Sequence, residues 1–230
     1  ATEDLIEKAR AALAVGHYDL ADALLNQAEA TEQAAARQAE QLASYAQAAA
    51  DRRWLNAAAA RAERGELSLT RLNYREAAAH FQTATEMTPA SAPTVRGIYR
   101  RNWADALSDY GDQQGDNAAL VQAIALYRQA LADLSRVRMP WDWAMTQSNL
   151  GVTLRRLGER EMKADWLEES VITYRTAIEE ITRERNPLIW ANIQNNLGNV
   201  LATLGGQEKS SARLEEAITA YQAALEIFTR

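Results

Sequence analysis

The sequence has 230 residues, of which 47% are hydrophobic; it carries a net charge of −6 and contains no cysteine. The lack of cysteine excludes disulfides and thiolate metal sites. The acidic balance argues against binding to a nucleic-acid backbone, which needs an excess of Lys and Arg. No apolar run approaches the length of about 18 residues that a membrane span needs, and no signal peptide is recognisable.

Residues 1–30 predict a helical hairpin. Apolar side chains recur at helical spacing, Gly16 interrupts the pattern, and Asp19 can cap a second helix. The stretch from Thr31 to Glu66 contains no Pro and is rich in Ala, which predicts one long helix of about 50 Å. We expect a break near Thr31; a helix that continues through this point is the alternative.

A further helix is predicted over residues 71–87, because its apolar residues share one face and Pro89 stops the pattern. Residues 90–93 form the one compositional break in the chain. We therefore place a domain boundary there. The N-terminal region, 1–90, holds two degenerate hairpins and the long Ala-rich helix, and the C-terminal region comprises 91–230.

The C-terminal region is a threefold repeat with a period of 47 residues, in units 93–139, 140–186 and 187–230. The residues in register are Pro93, Pro140 and Pro187; Gly111, Gly158 and Gly205; Leu120, Leu167 and Leu214; and Arg136, Arg183 and Arg230. Each unit predicts a first helix that begins after the Pro and stops at the Gly, a polar loop of about 8 residues, and a second helix from the Leu to the Arg. A period of this size is typical of a solenoid, in which each unit stacks on its neighbour.

Packing positions recur as well. In each unit a small residue on the first helix faces a tyrosine, flanked by small residues, on the second helix. These pairs are Ala104 with Tyr127, Gly151 with Tyr174, and Gly198 with Tyr221. On these positions the units resemble tetratricopeptide repeats, whose usual period is 34 residues. The longer unit with its N-L-G motif is similar to the repeats of kinesin light chains, and the spacing assigns about half of the extra residues to the loop between the helices.

The resemblance implies an all-α, right-handed superhelical solenoid of antiparallel helix hairpins. It also implies a function in binding other proteins, because arrays of this family present a groove lined by their first helices. The sequence itself does not identify the partner, since such repeats serve many functions.

One polar residue recurs at the same place on each first helix. Asn102, Asn149 and Asn196 each precede a residue predicted to be buried, so their side chains point away from the core. Asn is a mediocre helix former, so three asparagines in register indicate that the amide side chain has a structural or functional role there. The resemblance to kinesin light chains implies an asparagine ladder on the concave face that holds an extended peptide backbone. The alternative is that the amides bridge neighbouring first helices or cap local backbone.

Other side chains are predicted to line the same groove. They are Arg101, Ser148 and Asn195; Asp105, Val152 and Asn199 one turn further on; and Arg155 and Arg156, which would add positive charge in the middle of the groove. Lys and Arg do not accompany the asparagines at matching positions of successive units. We therefore do not expect a reader of C-terminal carboxylates.

A second recurring motif, R-x-R-x-P, precedes the second and third units. Its arginines, which include Arg136 and Arg183, could recognise acidic partners. The interpretation we favour is that they interact with the carbonyl ends of the second helices and with neighbouring acids.

Motifs of enzymes are missing from the sequence. His17 lies in a predicted turn and His80 on a predicted polar helix face, without metal-ligand spacing, and no phosphate-binding or nucleophile motif occurs. Adjacent carboxylates such as Glu179 and Glu180 point about 100° apart on a helix, which explains them as solvated. We expect no enzymatic activity, no cofactor and no metal.

The sequence predicts a scaffold for protein–protein interaction that binds an extended peptide or partner segment in its groove. The alternative is an oligomerisation or spacer arm of a larger multidomain signalling protein, with the Ala-rich helix as a contact surface and a homo-oligomer as the result. Because the first residue is Ala1 rather than Met, we expect a piece of a longer protein. We expect it to be located in the cytoplasm. The expected partner is a protein or peptide, not nucleic acid and not a membrane.

Overall fold

A computed structural model describes residues 1–229; Arg230, at which we expected the last helix to end, lies outside the described residues. Every regular element among residues 1–229 is an α-helix, which confirms the predicted all-α fold. In chain order the helices are α1 (Thr2–Ala14), α2 (Tyr18–Thr70), α3 (Tyr74–Met87), α4 (Pro93–Gln114), α5 (Asn117–Asp133), α6 (Pro140–Glu161), α7 (Ala164–Glu180), α8 (Pro187–Glu208) and α9 (Ser211–Phe228).

The chain divides into two compact units, Ala1–Arg53 and Trp54–Arg230. The first unit contains α1 and the N-terminal half of α2. The second unit contains the rest of α2, where Ala62 joins α3 and α4 in a buried apolar cluster around Phe81. The domain boundary that we place at residue 90 stays a prediction.

Helix α2 runs without interruption for 53 residues. The break expected near Thr31 is absent, and the alternative of a continuous helix is correct. Thr31 stays helical because its hydroxyl donates to the backbone carbonyl of Gln27, one turn earlier, at 2.7 Å. Gly65 also lies inside the helix, where its missing side chain makes room for Phe81, whose ring would lie 2.7 Å from a Cβ.

Helices α4 to α9 form three hairpins in the second unit. Each first helix (α4, α6, α8) begins at the proline itself, earlier than the predicted start after it. Turns of two residues join first to second helices (α5, α7, α9). The residue after each first helix adopts the left-handed conformation, and these residues are Gly115, Met162 and Lys209. The first helices lie side by side, since α6 contacts both α4 and α8.

The prediction that Gly111, Gly158 and Gly205 end the first helices is wrong. Each glycine lies one turn before the end of its helix and is buried within the hairpin. A Cβ there would lie 2.8 or 2.9 Å from the leucine near the start of the second helix, which is Leu120, Leu167 or Leu214. These glycines therefore permit two helices to approach closely and do not form a turn.

The prediction of a polar loop of about 8 residues between the two helices of each unit is also wrong. The polar residues after each glycine continue the first helix, because Gln, Glu, Lys and Arg are good helix formers. The second helices begin before the leucines at which we placed their start, and α5 and α7 end before Arg136 and Arg183. The residues by which the unit exceeds a repeat of 34 residues therefore lie mainly in longer helices.

The predicted seam of small residues and tyrosines is confirmed. Tyr127 and Tyr174 are 1% and 0% exposed. A Cβ on Gly151 would lie 3.0 Å from the ring of Tyr174, and a Cβ on Gly198 would lie 2.7 Å from the ring of Tyr221. The buried apolar clusters of the second unit continue from each hairpin into the next one, so the hairpins share their core in the way that a solenoid requires.

Two adjacent glycines of α8 allow this packing to be tested. We expect Gly205→Ala to lower the free energy of unfolding by about 1 kcal/mol, because overpacking against Leu214 outweighs the gain in helix propensity. Gly206→Ala should raise it by about 0.5–1 kcal/mol, since nothing lies within 4 Å of a Cβ there. Urea unfolding followed by circular dichroism measures both, and effects of the same sign would contradict the assignment.

Candidate functional site

The three asparagines of the sequence pattern lie at equivalent places on neighbouring helices. Asn102 is on α4, Asn149 on α6 and Asn196 on α8, and each is half-buried. We call the surface of α4, α6 and α8 that carries these residues the first-helix face. Its helices contact one another directly, so the three amides form a row across successive hairpins.

Two of the asparagine amides donate a hydrogen bond to a helix earlier in the chain. The Asn149 Nδ2 donates to Asp105 Oδ1 at 2.8 Å, which links α6 to α4. The Asn102 Nδ2 donates to Glu66 Oε1 on α2 at 3.4 Å. The side chain of Asn196 makes no hydrogen bond within residues 1–229. Bridging of neighbouring helices, one of the two readings of the sequence pattern, therefore occurs at the first two positions.

Asp105 is the centre of a small polar cluster. The Tyr127 hydroxyl on α5 donates to Asp105 Oδ1 at 2.5 Å, beside the bond from Asn149. Burial raises the pKa of the Asp105 carboxyl, while the bond from Tyr127 and the nearby Arg101 oppose that rise. Burial and the Asp105 carboxylate together raise the pKa of the Tyr127 hydroxyl well above its usual value. Tyr127 therefore keeps its proton and donates a hydrogen bond to Asp105.

A cavity of about 340 Å³ opens beside this cluster. Its lining residues are Asp105, Ser108, Asp109, Tyr127, Asn149, Val152 and Arg156. Four of the positions that the sequence predicted for the groove thus line one cavity: Asp105, Asn149, Val152 and Arg156. The cavity is lined by polar side chains from α4, α5 and α6, so it suits a polar group of a partner chain better than an apolar one.

The other two units vary the same cluster. In the third unit, Asn199 takes the place of Asp105, and its Oδ1 accepts a hydrogen bond from the Tyr221 hydroxyl at 2.9 Å. In the middle unit Val152 stands at this place and offers no acceptor. The Tyr174 hydroxyl is consequently buried without a hydrogen-bond partner.

The arginines predicted to make the groove positive are paired with acids. Arg155 donates to both carboxylate oxygens of Glu159, at 2.8 and 2.7 Å. Arg156 reaches back to α4, where it bonds to Asp109 at 3.1 Å and lies 3.3 Å from Asp112. The first-helix face therefore carries both signs of charge.

The flanking positions differ among the three units. Arg101 forms a salt bridge of 2.8 Å to Asp142, which again links α4 to α6. Ser148 is buried, 6% exposed, and Asn195 is half-buried. Arg101 and Asn195 thus remain partly exposed beside the row of asparagines, whereas Ser148 does not.

The second helices are joined by ion pairs that we did not predict from the sequence. Arg128 of α5 pairs with Glu169 of α7 at 2.6 Å, and Arg175 of α7 pairs with Glu216 of α9 at 2.5 Å. The signal was present, because both residues of the first pair recur 47 positions later. The adjacent carboxylates that we explained as solvated are in part the acceptors of such pairs.

The arginines of the R-x-R-x-P motif follow the interpretation that favoured neighbouring acids. Arg136 binds Glu179 and Glu180 of α7, both at 2.7 Å. The first arginine of each motif also lies over a tryptophan of the next first helix: Arg136 is 4.8 Å from the Trp143 ring centre and Arg183 is 5.7 Å from that of Trp190. These contacts join successive units.

The placement of His80 on a polar helix face is wrong. His80 is 7% exposed on α3, and burial, with Arg61 and Arg64 nearby, lowers the pKa of its imidazole. Helix α3 buries residues on more than the one face that its apolar pattern predicted, and His80 is among them. His17 is exposed in the turn before α2. Within residues 1–229, no helix combines the length and the hydrophobicity needed to cross a bilayer.

Two segments of the chain, residues 143–180 and 190–228, match the family model described as tetratricopeptide repeat. The crystal structure of BtubC (BKLC) from P. vanneervenii is similar in fold, with a TM-score of 0.56 and 16% sequence identity over 99% of this chain and 88% of that one. A comparison with curated protein sequences finds no match. The match confirms the predicted tetratricopeptide repeats over residues 143–180 and 190–228, in the second and third units. At this identity the likeness to BtubC concerns the fold alone.

Proposed function

Because this chain carries tetratricopeptide repeats, which generally mediate protein–protein interaction and typically belong to non-catalytic scaffolds, we propose that its first-helix face binds an extended segment of another protein. The observation that carries the proposal is the row of Asn102, Asn149 and Asn196 on three neighbouring helices. Each is half-exposed, and each belongs to a helix that otherwise buries its apolar side in the hairpin.

The hydrogen bonds within the chain leave the amides able to act on a partner. Where Asn102 and Asn149 donate through Nδ2, their Oδ1 atoms accept no hydrogen bond within residues 1–229. Each Oδ1 can therefore accept the N–H of an extended backbone, and the internal bond fixes the amide in the orientation that presents it. Asn196 has both its donor and its acceptor available. Bridging of helices and binding of a peptide thus coexist at this row.

The charge pattern favours a backbone as the recognised group. The acids and arginines of the first-helix face are mostly paired with one another, so they offer a partner little net charge. A row of neutral amides is then the feature that runs across all three units. Backbone groups repeat along an extended chain in the same way, independently of its sequence.

We expect the triple change of Asn102, Asn149 and Asn196 to Ala to weaken peptide binding by at least about 100-fold, since three lost hydrogen bonds of about 1 kcal/mol each correspond to that factor. The ligand would be a peptide selected from a random library on the immobilised protein, and fluorescence anisotropy would measure its affinity. Unchanged affinity in the triple variant, with unchanged helical circular dichroism, would remove the asparagine row from the proposal.

Two single variants separate binding from stability. Asn196→Ala breaks no hydrogen bond within residues 1–229, so it should weaken binding by about tenfold without changing the melting temperature. Asn26→Ala is the matched control, because Asn26 is exposed on α2 and bonds only to Asp22. It should bind peptide as the unaltered protein does.

A second candidate function is an oligomerisation or spacer arm. It is favoured by the exposure of every residue from 29 to 50 on α2, which leaves Leu42 and Tyr45 61% and 64% exposed. Apolar side chains on an uncovered helix favour association with another chain. This candidate predicts a mass above 25.5 kDa in light scattering at high concentration, and a return to that mass in Leu42→Glu/Tyr45→Glu. A monomer at every concentration would exclude it.

A further inference from the structure

The middle unit retains the donors of the Asp105 cluster but lacks its carboxylate. In the first unit, Tyr127 and the next unit's Asn149 both donate to Asp105 Oδ1. In register with these residues, the middle unit has Tyr174, Asn196 and, in place of the aspartate, Val152. Two hydrogen-bond donors therefore converge on a place from which the acceptor has been removed.

Both donors are unsatisfied within the described part of the chain. The Tyr174 side chain is 0% exposed, and its O–H finds no acceptor, because the polar group beside it, the Arg155 guanidinium, can only donate. A buried hydroxyl without a partner costs about 1–3 kcal/mol, so its retention calls for a reason. The Asn196 amide, half-buried on α8, makes no hydrogen bond within residues 1–229 either.

A cation lies beside these donors. Arg155 is close enough to Tyr174 to oppose the rise in the pKa of that hydroxyl that burial causes. The Nε of Arg155 is buried and has no partner, while its Nη1 is held by Glu159. Two further charged groups act on Tyr174: Glu159, and Arg156, which pairs with Asp109 and Asp112 of α4. Arginine thus accompanies the empty acceptor position, whereas the equivalent residue of the first unit is Ser108.

We propose that the bound partner places a carboxylate beside Val152, against Tyr174, Asn196 and Arg155, where it accepts hydrogen bonds as Asp105 does one unit earlier. The inference rests on the proposed function, and it assigns to the partner an acidic side chain at the contact with the middle and third units. A hydroxyl, an amide N–H and a guanidinium N–H are all donors, which a carboxylate accepts and an amide or an alcohol satisfies less well.

Entry to the site requires Arg155 to move. Arg155 lies beside the buried Tyr174 hydroxyl, and the arginine side chain as a whole is 22% exposed. Its ion pair with Glu159 is an i,i+4 pair at the edge of the protein, of a kind that contributes little to stability. A carboxylate that approaches along the first-helix face can therefore displace Glu159 from Arg155 and reach the tyrosine beneath.

The probes for the test are three peptides of five residues, in which alanines flank one central residue. The first has a central glutamate and blocked ends, the second a central glutamine and blocked ends, and the third a central glutamine and a free C-terminal carboxylate. Each is titrated into the full chain while the ¹H–¹⁵N signals of the Asn196 side-chain amide, assigned by their loss in Asn196→Ala, are followed by NMR. The glutamate peptide should shift these signals at a concentration about tenfold lower than the glutamine peptide does.

Variants make the test specific to the site. Val152→Asp supplies an internal carboxylate, so it should raise the melting temperature and abolish the preference for glutamate. Val137→Asp places the same charge on a linker residue that is 91% exposed and should leave the preference intact. Tyr174→Phe removes one donor without changing the packing and should reduce the preference several-fold; it serves as the second variant if Val152→Asp does not fold.

Equal responses to the glutamate and glutamine peptides would overturn the inference, as would a preference that survives in Val152→Asp. A response to the free C-terminus alone would overturn it too, because the site would then take a chain end and not a side chain. Selected peptides that lose affinity in the triple asparagine variant but show no dependence on acidic residues would leave the proposed function standing and remove only this site.

Discussion

Leu154→Ala is expected to lower the free energy of unfolding by about 2–5 kcal/mol, the usual range for a fully buried leucine. Leu154 is 0% exposed on α6 and packs into the apolar cluster formed with α4 and α5. It therefore belongs to the interface between the first and middle units. In a solenoid the stability of each unit depends on such an interface, so the loss should act on cooperativity as well as on stability.

Urea unfolding followed by circular dichroism at 222 nm and by tryptophan fluorescence measures both effects. Leu188→Ala is the matched control, because Leu188 is 62% exposed on α8; its effect should stay within about 0.5 kcal/mol. The two signals should coincide in the control and separate in Leu154→Ala, as the units uncouple. Similar losses in the two variants would show that the hairpins do not share their core in this way.

Removal of the hydroxyl from Tyr127, Tyr221 or Tyr174 should change the free energy of unfolding by three different amounts. Tyr127→Phe should cost about 1–3 kcal/mol, because it deprives the buried Asp105 carboxylate of a charge-assisted hydrogen bond. Tyr221→Phe should cost about 1 kcal/mol, since the acceptor is the neutral Asn199 amide. Tyr174→Phe should leave the free energy of unfolding unchanged within about 0.5 kcal/mol, or raise it, because the O–H of Tyr174 has no acceptor.

The three substitutions are chemically identical and remove no ring contact, so each is a control for the others. Differential scanning calorimetry at neutral pH provides the comparison. Similar destabilisation by all three would mean that the hydroxyl of Tyr174 finds an acceptor after all. That result would also remove the basis for a carboxylate site in the middle unit.

The fold could be predicted from the sequence because its main signals are local. A proline every 47 residues marks the start of each first helix, and small residues opposite a tyrosine mark the seam of each hairpin. The glycines misled the prediction, since Gly158 permits the approach of Leu167 while the left-handed turn falls on Met162. Glycine serves close packing as well as turns, and only the three-dimensional neighbour distinguishes the two.

The candidate site could be predicted in part. The row of Asn102, Asn149 and Asn196 follows from the period, and so does the position of Asp105 one turn further on. The pairing of Arg156 with Asp109 could not be predicted, because it joins different units and depends on how their first helices lie side by side. The charge of the first-helix face was therefore overestimated from the sequence.

The ion pairs between second helices include one that recurs with the period of the units. It joins an arginine of one unit to a glutamate of the following unit, as Arg128 with Glu169 and Arg175 with Glu216, whereas Arg213 of the third unit pairs back with Glu168 of the middle unit. In register on either side stand Gln122, where a glutamate would be, and Gln222, where an arginine would be. Within units 93–230 the two recurring ion pairs thus link the first unit to the middle one and the middle one to the third, and glutamine, which carries no charge, ends the pattern on either side.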